Sequence, residues 1–299
     1  MNVFVTGGTG FIGSYVVDLL VRSGHTVTIL ARNPSKVSGF VGHPNIRFVQ
    51  GTLTDRQAIK HGLEGSDACI HIALGWGDTA VDMLEADTLP SLHIFETAAQ
   101  LGVKNMIYTS SIAAFGEPKD LYTDATCPRP TNFYGATKAA TESYILALSH
   151  VYGVRCNVIR PGYTFGNPVV DGASIYSDTK FANIVKSARS NEPITVAHDD
   201  GTQFIWAGDL ARLYGAVLTS THNRELFTAV STEFTAWEEI ARIAVEYLGS
   251  KSAIVSEDKG LDRSKGRCDV TPIERAFGFR FVTRERLQEH VAYLADHAV

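Results

Sequence analysis

Short apolar runs alternate with longer amphipathic segments along the first half of the chain. The runs lie at 3–5, 26–30, 46–50, 67–72, 104–109 and 155–160. Each has the length and the β-branched content of a buried strand. At 11–21, 88–101 and 132–152, apolar residues recur three and four positions apart, as in an amphipathic helix. Strands and helices that alternate at this spacing predict an α/β fold, a doubly wound parallel sheet with right-handed crossovers.

The pattern changes after Gly162. Residues 163–178 are rich in Gly, Asp, Ser and Tyr, which predicts a loop. Beyond it the sequence predicts a short strand around Ile194, a seventh sheet strand at 226–230, and helices at 179–190, 208–219, 235–248 and 283–296. We therefore expect residues 1–162 with 202–230 to form the sheet domain. The remaining segments, 163–201 with 231–299, would form a smaller lid over the site.

Composition is that of an ordinary globular protein. Of 299 residues, 44% are hydrophobic and 20% are charged, and the net charge is −5. An acidic chain without a basic block is poorly suited to bind a polyanion, which argues against nucleic acid as the main partner. The first strand begins at residue 2, so we expect no leader in front of it, and no apolar run is long enough to span a membrane. We expect a cytoplasmic protein.

The cysteines and histidines give no sign of a metal site. The ten histidines show no H-x-x-x-H or similar ligand spacing. The cysteines are scattered without C-x-x-C spacing, at Cys69, Cys127, Cys156 and Cys268. We expect reduced, mostly buried thiols and no bound metal.

The first strand leads directly into a glycine-rich stretch, Thr6-Gly7-Gly8-Thr9-Gly10-Phe11-Ile12-Gly13. Between a strand and a helix, such glycines permit a tight turn, close approach of the backbone to a pyrophosphate, and close helix–strand packing. The start of the helix offers N–H groups and a positive dipole end to the phosphates. The alternative is a glycine-rich turn that binds nothing. We assign dinucleotide binding to Gly7, Gly10, Phe11, Ile12 and Gly13, and a Rossmann type to the sheet domain.

The end of the second strand indicates which dinucleotide is bound. An acidic residue about twenty positions beyond the glycines would bind the ribose 2′-hydroxyl of NAD, and none is present. Arg32, with Lys36 nearby, is better matched to a 2′-phosphate. The alternative is that Arg32 is a solvated loop residue. We therefore predict NADP as the cofactor, with NAD possible.

Two later strands end in residues that could meet a substrate. The loop after residue 72 carries Trp76 between two glycines, and the loop after residue 109 carries Ser110 and Ser111. Loops at the carboxyl ends of parallel strands are where cofactor and substrate meet in an open sheet. We take Trp76 and Ser111 as substrate contacts and Ser110 as structural. The alternatives are a tryptophan folded back on the core and a plain turn serine.

A tyrosine and a lysine lie four residues apart in Tyr134-Gly135-Ala136-Thr137-Lys138, on one face of the predicted helix. For Tyr134 to act as a base near pH 7, its pKa must fall by about three units, and one cation about 4 Å away supplies roughly that free energy. We therefore expect Lys138 to lower the pKa of Tyr134. The same spacing occurs at Tyr176–Lys180 and Tyr247–Lys251, which we take as accidental because both lie in the predicted lid.

Together these pieces resemble an extended short-chain dehydrogenase/reductase of the NAD-dependent epimerase/dehydratase family. The matching segments are TGGTGFIG at 6–13, HIA at 71–73, YTSSIAAFG at 108–116, YGATK at 134–138 and RPGYTFG at 160–166, with thinner similarity at 204–211 and 277–287. The resemblance implies Tyr134 as the acid/base, Lys138 on the ribose and the tyrosine, and Ser111 on the substrate. It also implies a cofactor lining of Leu53, Ala73, Thr109 and Pro161. It further implies a homodimer through the helices around 90–100 and 134–150.

Four positions depart from the family pattern. Thr52 stands where an aspartate usually contacts the adenine, so that contact is weakened, although we keep Thr52 in the cofactor site. Asp87 takes the place of a frequent helix asparagine, and Trp206 that of a frequent histidine. Thr202 stands where nucleotide-sugar enzymes usually carry an arginine for the substrate diphosphate.

The predicted substrate pocket favours a small ligand. Its walls would be aromatic, from Trp76, Tyr163, Phe165 and Trp206, and such walls suit a compact, largely uncharged molecule. Asp199 and Asp200 would repel a diphosphate if they faced the pocket. Four cations could compensate: Lys180, Lys186, Arg189 and Lys259.

We therefore predict an enzyme that moves hydride between NADP(H) and a carbinol or ketone carbon of a small substrate. A second hypothesis is a nucleotide-sugar epimerase or dehydratase, which would use the hydride transiently. A third is a non-catalytic dinucleotide sensor. The Ser111–Tyr134–Lys138 set argues against the third, because a sensor needs no polarised phenol.

Overall fold

The apolar runs of the sequence form strands. The structure is a computed structural model that describes residues 1–175 and 179–297. Its strands are β1 (Asn2–Thr6), β2 (Thr26–Ala31), β3 (Ile46–Gln50), β4 (Ala68–His71), β5 (Asn105–Thr109), β6 (Leu121–Tyr122), β7 (Arg155–Pro161), β8 (Thr164–Phe165), β9 (Ile194–Ala197), β10 (Gly201–Thr202), β11 (Ile205–Trp206), β12 (Leu226–Ala229), β13 (Thr235–Ala236), β14 (Ile254–Glu257) and β15 (Arg267–Cys268).

The amphipathic segments form helices. They are α1 (Phe11–Arg22), α2 (Arg56–Leu63), α3 (Ala80–Met83), α4 (Leu89–Gln100), α5 (Phe133–Tyr152), α6 (Thr179–Arg189), α7 (Ala207–Thr219), α8 (Trp237–Leu248), α9 (Thr271–Phe277) and α10 (Arg284–His297). No helix in the described ranges combines the length and apolarity needed to cross a bilayer.

Seven strands, counted over the described residues, form one parallel sheet in the order β12-β7-β5-β4-β1-β2-β3. Val3 of β1 pairs with Val27 of β2 on one side and with Ala68 of β4 on the other. The chain winds outward from β1 to β3 and then returns to β4. The winding therefore reverses between β1 and β4, and the carboxyl ends of these strands border the crevice where such sheets bind ligands. The predicted doubly wound parallel sheet, with its seventh strand at Leu226–Ala229, is confirmed.

Helices cover both faces of the sheet, so successive strand residues are buried on opposite sides. Val3 and Val5 pack with α1 and α7 on one face, where Leu210 is fully buried. Phe4 packs with α2, α4 and α5 on the other face. Apolar burial on both faces explains why the strands read as continuous hydrophobic runs rather than as alternating ones.

The C-terminal helices build a hydrophobic cluster of their own. Residues of α6, α8 and α10 pack together with β9, as with Phe181, Ile240 and Val291. Residues 202–206, which we assigned to the sheet domain, add no strand to the main sheet, because β10 pairs with β13 and β11 pairs with β8. The domain boundaries at 162, 202 and 230 stay a prediction.

The helix predicted at 88–101 begins earlier than expected. The chain is helical from Ala80, passes through a π-helical turn at Leu84–Thr88 and continues as α4. Pro90 stands near the start of the predicted helix, where a proline is common, so it gives no sign of the helical turns that precede it. Pro90 has no backbone N–H to donate. The π-helical turn before it changes the spacing of the backbone hydrogen bonds at this point. Helix α9 and the two-residue strands were not predicted, since such short segments carry no readable period.

Candidate active site

One cleft of about 1760 Å³ runs along the carboxyl ends of the sheet strands. It is lined by all the residues predicted to bind the cofactor or to act in catalysis, and by two of the predicted aromatic substrate contacts: Gly7, Gly10, Phe11, Ile12, Gly13, Arg32, Thr52, Leu53, Ala73, Trp76, Thr109, Ser111, Tyr134, Lys138, Pro161 and Tyr163. Segments far apart in sequence thus converge because parallel strands end at one edge of the sheet. The individual role of each residue stays a prediction.

The glycine turn after β1 has the geometry of a pyrophosphate cradle. Gly7 has a φ of +75°, and a Cβ there would lie 2.6 Å from the backbone nitrogen of Ala73. A Cβ on Gly13 would lie 2.0 Å from the carbonyl oxygen of Gly7, so only glycine allows α1 to approach the turn this closely. Over the described residues, no side chain caps the first turn of α1, whose N-cap is Gly10. The residues present therefore fit a dinucleotide, because an uncapped helix start beside a glycine turn binds phosphate.

The far end of the cleft offers positive charge. Arg32 and Lys36 line it, beside Thr52 and Leu53. Both cations are exposed, and within the described part of the chain neither one forms an ion pair. A phosphate could therefore meet both without displacing an acidic partner.

Local caps hold Ser111 and Tyr134 at the centre of the cleft. The Asn132 side chain accepts a hydrogen bond from the N–H of Gly135 at 2.7 Å, which starts α5 and places Tyr134 in its first turn. The Ser111 hydroxyl accepts from the N–H of Ala113 at 3.1 Å, at the start of a short 3₁₀ turn. Ser110 instead donates to buried Glu142, which also forms an ion pair with Arg160. This contact agrees with the structural role expected for Ser110.

Lys138 is buried one helical turn beyond Tyr134, and it contacts an acid. Its Nζ lies 3.2 Å from Oδ2 of Asp87, and both side chains are almost wholly buried. The same Nζ is 5.7 Å from the ring centre of Tyr134 and 5.3 Å from that of Tyr108. Burial alone would lower the pKa of Lys138, but Tyr108 and Asp87 outweigh burial and raise it. Lys138 therefore carries its charge, opposite a carboxylate.

The prediction that the pKa of Tyr134 falls is wrong for this arrangement. Burial raises the pKa of Tyr134, the Ser111 side chain lowers it, and the Asp87 carboxylate raises it further. The physical reason is that the buried pair of Lys138 and Asp87 is neutral overall. The estimate from sequence counted the cation without its partner, and Tyr134 keeps its proton more firmly than expected.

His71, in the HIA segment, is a buried structural residue. Its ring nitrogens hydrogen bond to the hydroxyls of Thr6 and Ser91, the second at 2.8 Å. Burial lowers the pKa of His71 to about 3, so the ring is neutral. Thr6 immediately precedes the glycine turn, and Ser91 donates to the backbone carbonyl of Asp87 at 2.6 Å. His71 thereby links the base of the cofactor cradle to the helix that carries Asp87.

Trp76 and Tyr163, the predicted aromatic substrate contacts, both line the cleft. Trp76 is 67% exposed, and its ring centre is 6.3 Å from that of Tyr134. It is therefore not folded back on the core. Tyr163 packs against Phe204 and Trp237, with ring centres 5.0 and 5.4 Å away.

Two residues expected in the pocket lie elsewhere. Phe165 is fully buried in the cluster formed by the C-terminal helices. Trp206 packs edge-on against Tyr15, and the Arg286 guanidinium lies over its ring, with Cζ 4.2 Å from the ring centre. The reason is the pairing of β8 with β11, which turns both side chains away from the cleft. The substrate region is less aromatic than the sequence indicated.

Acidic side chains line the substrate region. Asp199, Asp200 and Thr202 all face the cleft. Lys180 pairs with Asp200 at 2.5 Å, and Lys259 pairs with Glu257 at 3.4 Å, so these two cations are already engaged. The two aspartates therefore face the pocket, which is the condition under which we expected them to repel a diphosphate.

One loop that lines the cleft, at residues 260–268, was not predicted from the sequence. Leu261, Asp262 and Lys265 line the cleft, together with Phe234 and Cys268. Their segment has no hydrophobic period, and its glycines at 260 and 266 were the available signal of a shaped loop.

The Tyr247–Lys251 pair lies away from this chemistry. The Tyr247 hydroxyl donates to Asp296 at 3.0 Å on the exposed surface, and Tyr176 lies outside the described residues.

Among residues 1–175 and 179–297 no group of three or more His, Cys, Asp or Glu side chains could hold a metal ion. The cysteines are free thiols, and Cys127 is exposed whereas Cys69, Cys156 and Cys268 are buried.

Comparison with known proteins gives one consistent family. The sequence model of the NAD dependent epimerase/dehydratase family matches residues 3–228. The chain is 30% identical to UDP-glucose 4-epimerase of Streptococcus mutans over 167 residues, 52% of this chain and 49% of that protein. It is also 30% identical to 3 beta-hydroxysteroid dehydrogenase/Delta 5-->4-isomerase of Mycobacterium tuberculosis over 179 residues, 56% of this chain and 48% of that protein. The chain therefore spans about half the length of each relative.

The fold extends along the whole chain. The solved structure of UDP-glucose 4-epimerase of Thermotoga maritima with UDP-glucose has a TM-score of 0.82 and 22% sequence identity, and the match covers 100% of both chains. At this identity the likeness establishes the fold alone. Relatives that act on nucleotide sugars and on steroids match equally well in sequence, so the substrate must be argued from the cleft.

Proposed function

The chain belongs to the NAD dependent epimerase/dehydratase family, and from this premise we propose that it is an enzyme that transfers hydride between NADP(H) and a carbinol or ketone carbon of a small substrate. The observation that carries the proposal is the convergence of the glycine cradle, Ser111, Tyr134 and Lys138 on one cleft.

The cofactor would lie along the carboxyl ends of the strands. The glycine turn and the start of α1 would hold the pyrophosphate. Arg32 and Lys36 would meet the 2′-phosphate, which favours NADP over NAD. When bound, the nicotinamide would supply or accept the hydride. Lys138 would reach the ribose, as the resemblance to the family implies.

Tyr134 and Ser111 would handle the proton and the oxygen of the substrate. The phenol of Tyr134, with its raised pKa, is protonated at neutral pH and can donate to a developing alkoxide. Ser111 can hydrogen bond to the same oxygen and orient it. Trp76 lies beside Tyr134, Tyr163 lines the same cleft, and both would contact the carbon skeleton.

The charges in the cleft support a substrate without a nucleotide diphosphate. A diphosphate brings two negative charges, and a buried charge without a partner is costly. Asp199 and Asp200 line the substrate region, Thr202 stands where an arginine would be expected, and Lys180 is paired. A compact, uncharged carbonyl compound avoids this conflict.

A nucleotide-sugar epimerase or dehydratase is the second candidate. The specific observation in its favour is Lys265, a cation that lines the cleft. The two candidates differ in cofactor use. A reductase consumes added NADPH, whereas an epimerase or dehydratase regenerates its bound cofactor.

The test is a turnover assay with NADPH against panels of ketones, aldehydes, UDP-sugars and dTDP-sugars. We expect net loss of NADPH absorbance with one or more carbonyl compounds and no conversion of nucleotide sugars. Conversion of a nucleotide sugar without loss of NADPH would replace the first proposal with the second. Binding of NADPH without either reaction would favour the third hypothesis, a non-catalytic dinucleotide sensor.

We also propose a homodimer through α4 and α5. Phe133, Tyr144 and Val151 of α5 are 52%, 56% and 77% exposed, and their spacing places them on one face of the helix. Leu84 and Leu89, just before and at the start of α4, are also exposed. Large apolar side chains in such a row are typical of a surface that a second copy covers.

A further inference from the structure

Asp87 joins two parts of the active site that are far apart in sequence. It lies in the π-helical turn before α4 and has no exposed surface. Its Oδ1 accepts a hydrogen bond from the N–H of Gly75 at 3.0 Å, and its Oδ2 pairs with Lys138 at 3.2 Å. Gly75 directly precedes Trp76, so one carboxylate holds both the substrate loop and the lysine of α5.

The backbone around Asp87 leaves little freedom for this arrangement. A Cβ on Gly75 would lie 1.8 Å from the carbonyl oxygen of Ala86, so the substrate loop is pressed against the π-helical turn. Single π-helical turns occur frequently at functional sites. The turn and the glycine together fix the carboxylate where it can reach both partners.

The charged and titratable groups that face this centre come from several elements. Lys138 faces Asp87, Tyr108 of β5 and His71 of β4. Tyr134 faces Asp87, Ser111 and Tyr214 of α7. His71 is neutral and the tyrosines are uncharged near pH 7, so the net charge beside Tyr134 is set by Lys138 and Asp87.

We propose that Asp87 is a positioning residue, which fixes the Lys138 ammonium and the Trp76 loop against each other and offsets the charge of that ammonium beside Tyr134. The inference rests on the proposed hydride transfer. With the charge offset, Tyr134 stays protonated and is ready to give its proton to a substrate oxygen. Asp87 therefore adapts the site to reduction of a carbonyl group rather than to oxidation of an alcohol.

The proposal can be tested by titrating Tyr134 directly, without substrate or cofactor. Tyrosine labelled with ¹³C at Cζ reports the phenolate, and the Tyr134 signal is the one absent from Tyr134→Phe. Asp87→Asn should lower the Tyr134 midpoint by at least about one pH unit, because it leaves the neighbouring cation uncompensated. Lys138→Met should raise the midpoint, and the double variant D87N/K138M should return it close to that of the unmodified protein.

Glu142→Gln is the matched control. Glu142 is buried on the same helix in an ion pair with Arg160, but it does not face Tyr134. Its substitution should cost stability without moving the Tyr134 midpoint. An unchanged or raised midpoint in Asp87→Asn, or an equal drop in Glu142→Gln, would overturn the proposal.

A second measurement keeps the proposal testable if the single variants, each of which leaves one buried charge unpaired, fail to fold. D87A/K138M and D87N/K138M both remove the buried pair, but only the second retains an acceptor for the Gly75 N–H. Amide exchange at residues 75–77 should be at least about tenfold faster in D87A/K138M, as expected for loss of roughly one hydrogen bond. Equal exchange would overturn the positioning role. Neither measurement uses turnover, so failure of the hydride-transfer proposal would be seen separately.

Discussion

Arg32 offers the sharpest test of cofactor choice. Its guanidinium lines the far end of the cleft, beside Lys36, and forms no ion pair within the described residues. A hydrogen bond between charged groups contributes about 1.5–3 kcal/mol. Because Arg32 is exposed, solvent screening reduces this to roughly 1–1.5 kcal/mol. Arg32→Ala should therefore weaken NADP⁺ binding about tenfold.

NAD⁺ provides the internal comparison, since it lacks the 2′-phosphate. Its affinity should change by less than about twofold in Arg32→Ala, because the pyrophosphate contacts of the glycine turn are untouched. Isothermal titration with both cofactors at low and at high salt measures the effect, and the loss for NADP⁺ should shrink as salt screens the charge. Arg47→Ala is the matched control, an exposed arginine on the neighbouring strand β3. It should leave both affinities unchanged.

Two results would refute this reasoning. One is an unmodified protein that binds NAD⁺ as tightly as NADP⁺. The other is an Arg32→Ala variant that loses affinity equally for both cofactors. The first result would make Arg32 a solvated loop residue and return the choice of cofactor to NAD. The second would place Arg32 against a part of the dinucleotide that both cofactors share.

Three further outcomes follow from the cleft, the surface and the buried histidines. UDP and dTDP at 1 mM should leave the melting temperature unchanged, whereas a ligand with Kd near 10 μM would stabilise by roughly 2.7 kcal/mol and shift it clearly. Leu89→Arg should turn a dimer into a folded monomer in sedimentation, and a dimer that persists would place the interface elsewhere. Burial lowers the pKa of His71 to about 3 and of His290 to about 4, so the unfolded chain binds these protons first as pH falls below about 6.5. Each buried histidine should therefore lower the free energy of unfolding by about 2 kcal/mol between pH 7 and pH 5. Denaturant titrations that give equal stability at the two pH values would contradict this.

The sequence predicted those parts of the site whose residues are close together along the chain. The glycine turn and the Tyr134–Lys138 pair each occupy a few residues within one predicted element, so spacing alone defines their geometry. The contact of Asp87 with Lys138 spans 51 positions and depends on how α4 packs against α5. Without that packing, the sequence predicted the wrong direction for the pKa shift of Tyr134.

Side-chain direction was the other limit. Phe165 and Trp206 belong to segments that border the cleft, and their aromatic character predicted a lining role. In two-residue strands no alternating pattern shows which face is buried, so the sequence carries no signal for direction. The pairing of β8 with β11 decides it.

The most direct test of the account is the Tyr134→Phe variant, studied for turnover and for cofactor binding in parallel. The phenol acts on the proton of the reacting oxygen, whereas the dinucleotide is held mainly by the glycine turn. We expect NADPH oxidation with an accepted carbonyl substrate to fall by about 10²–10⁴-fold, with the Kd for NADPH within about threefold of that of the unmodified protein. If Tyr134→Phe kept more than about a tenth of the rate, Tyr134 would not be the acid/base of this enzyme.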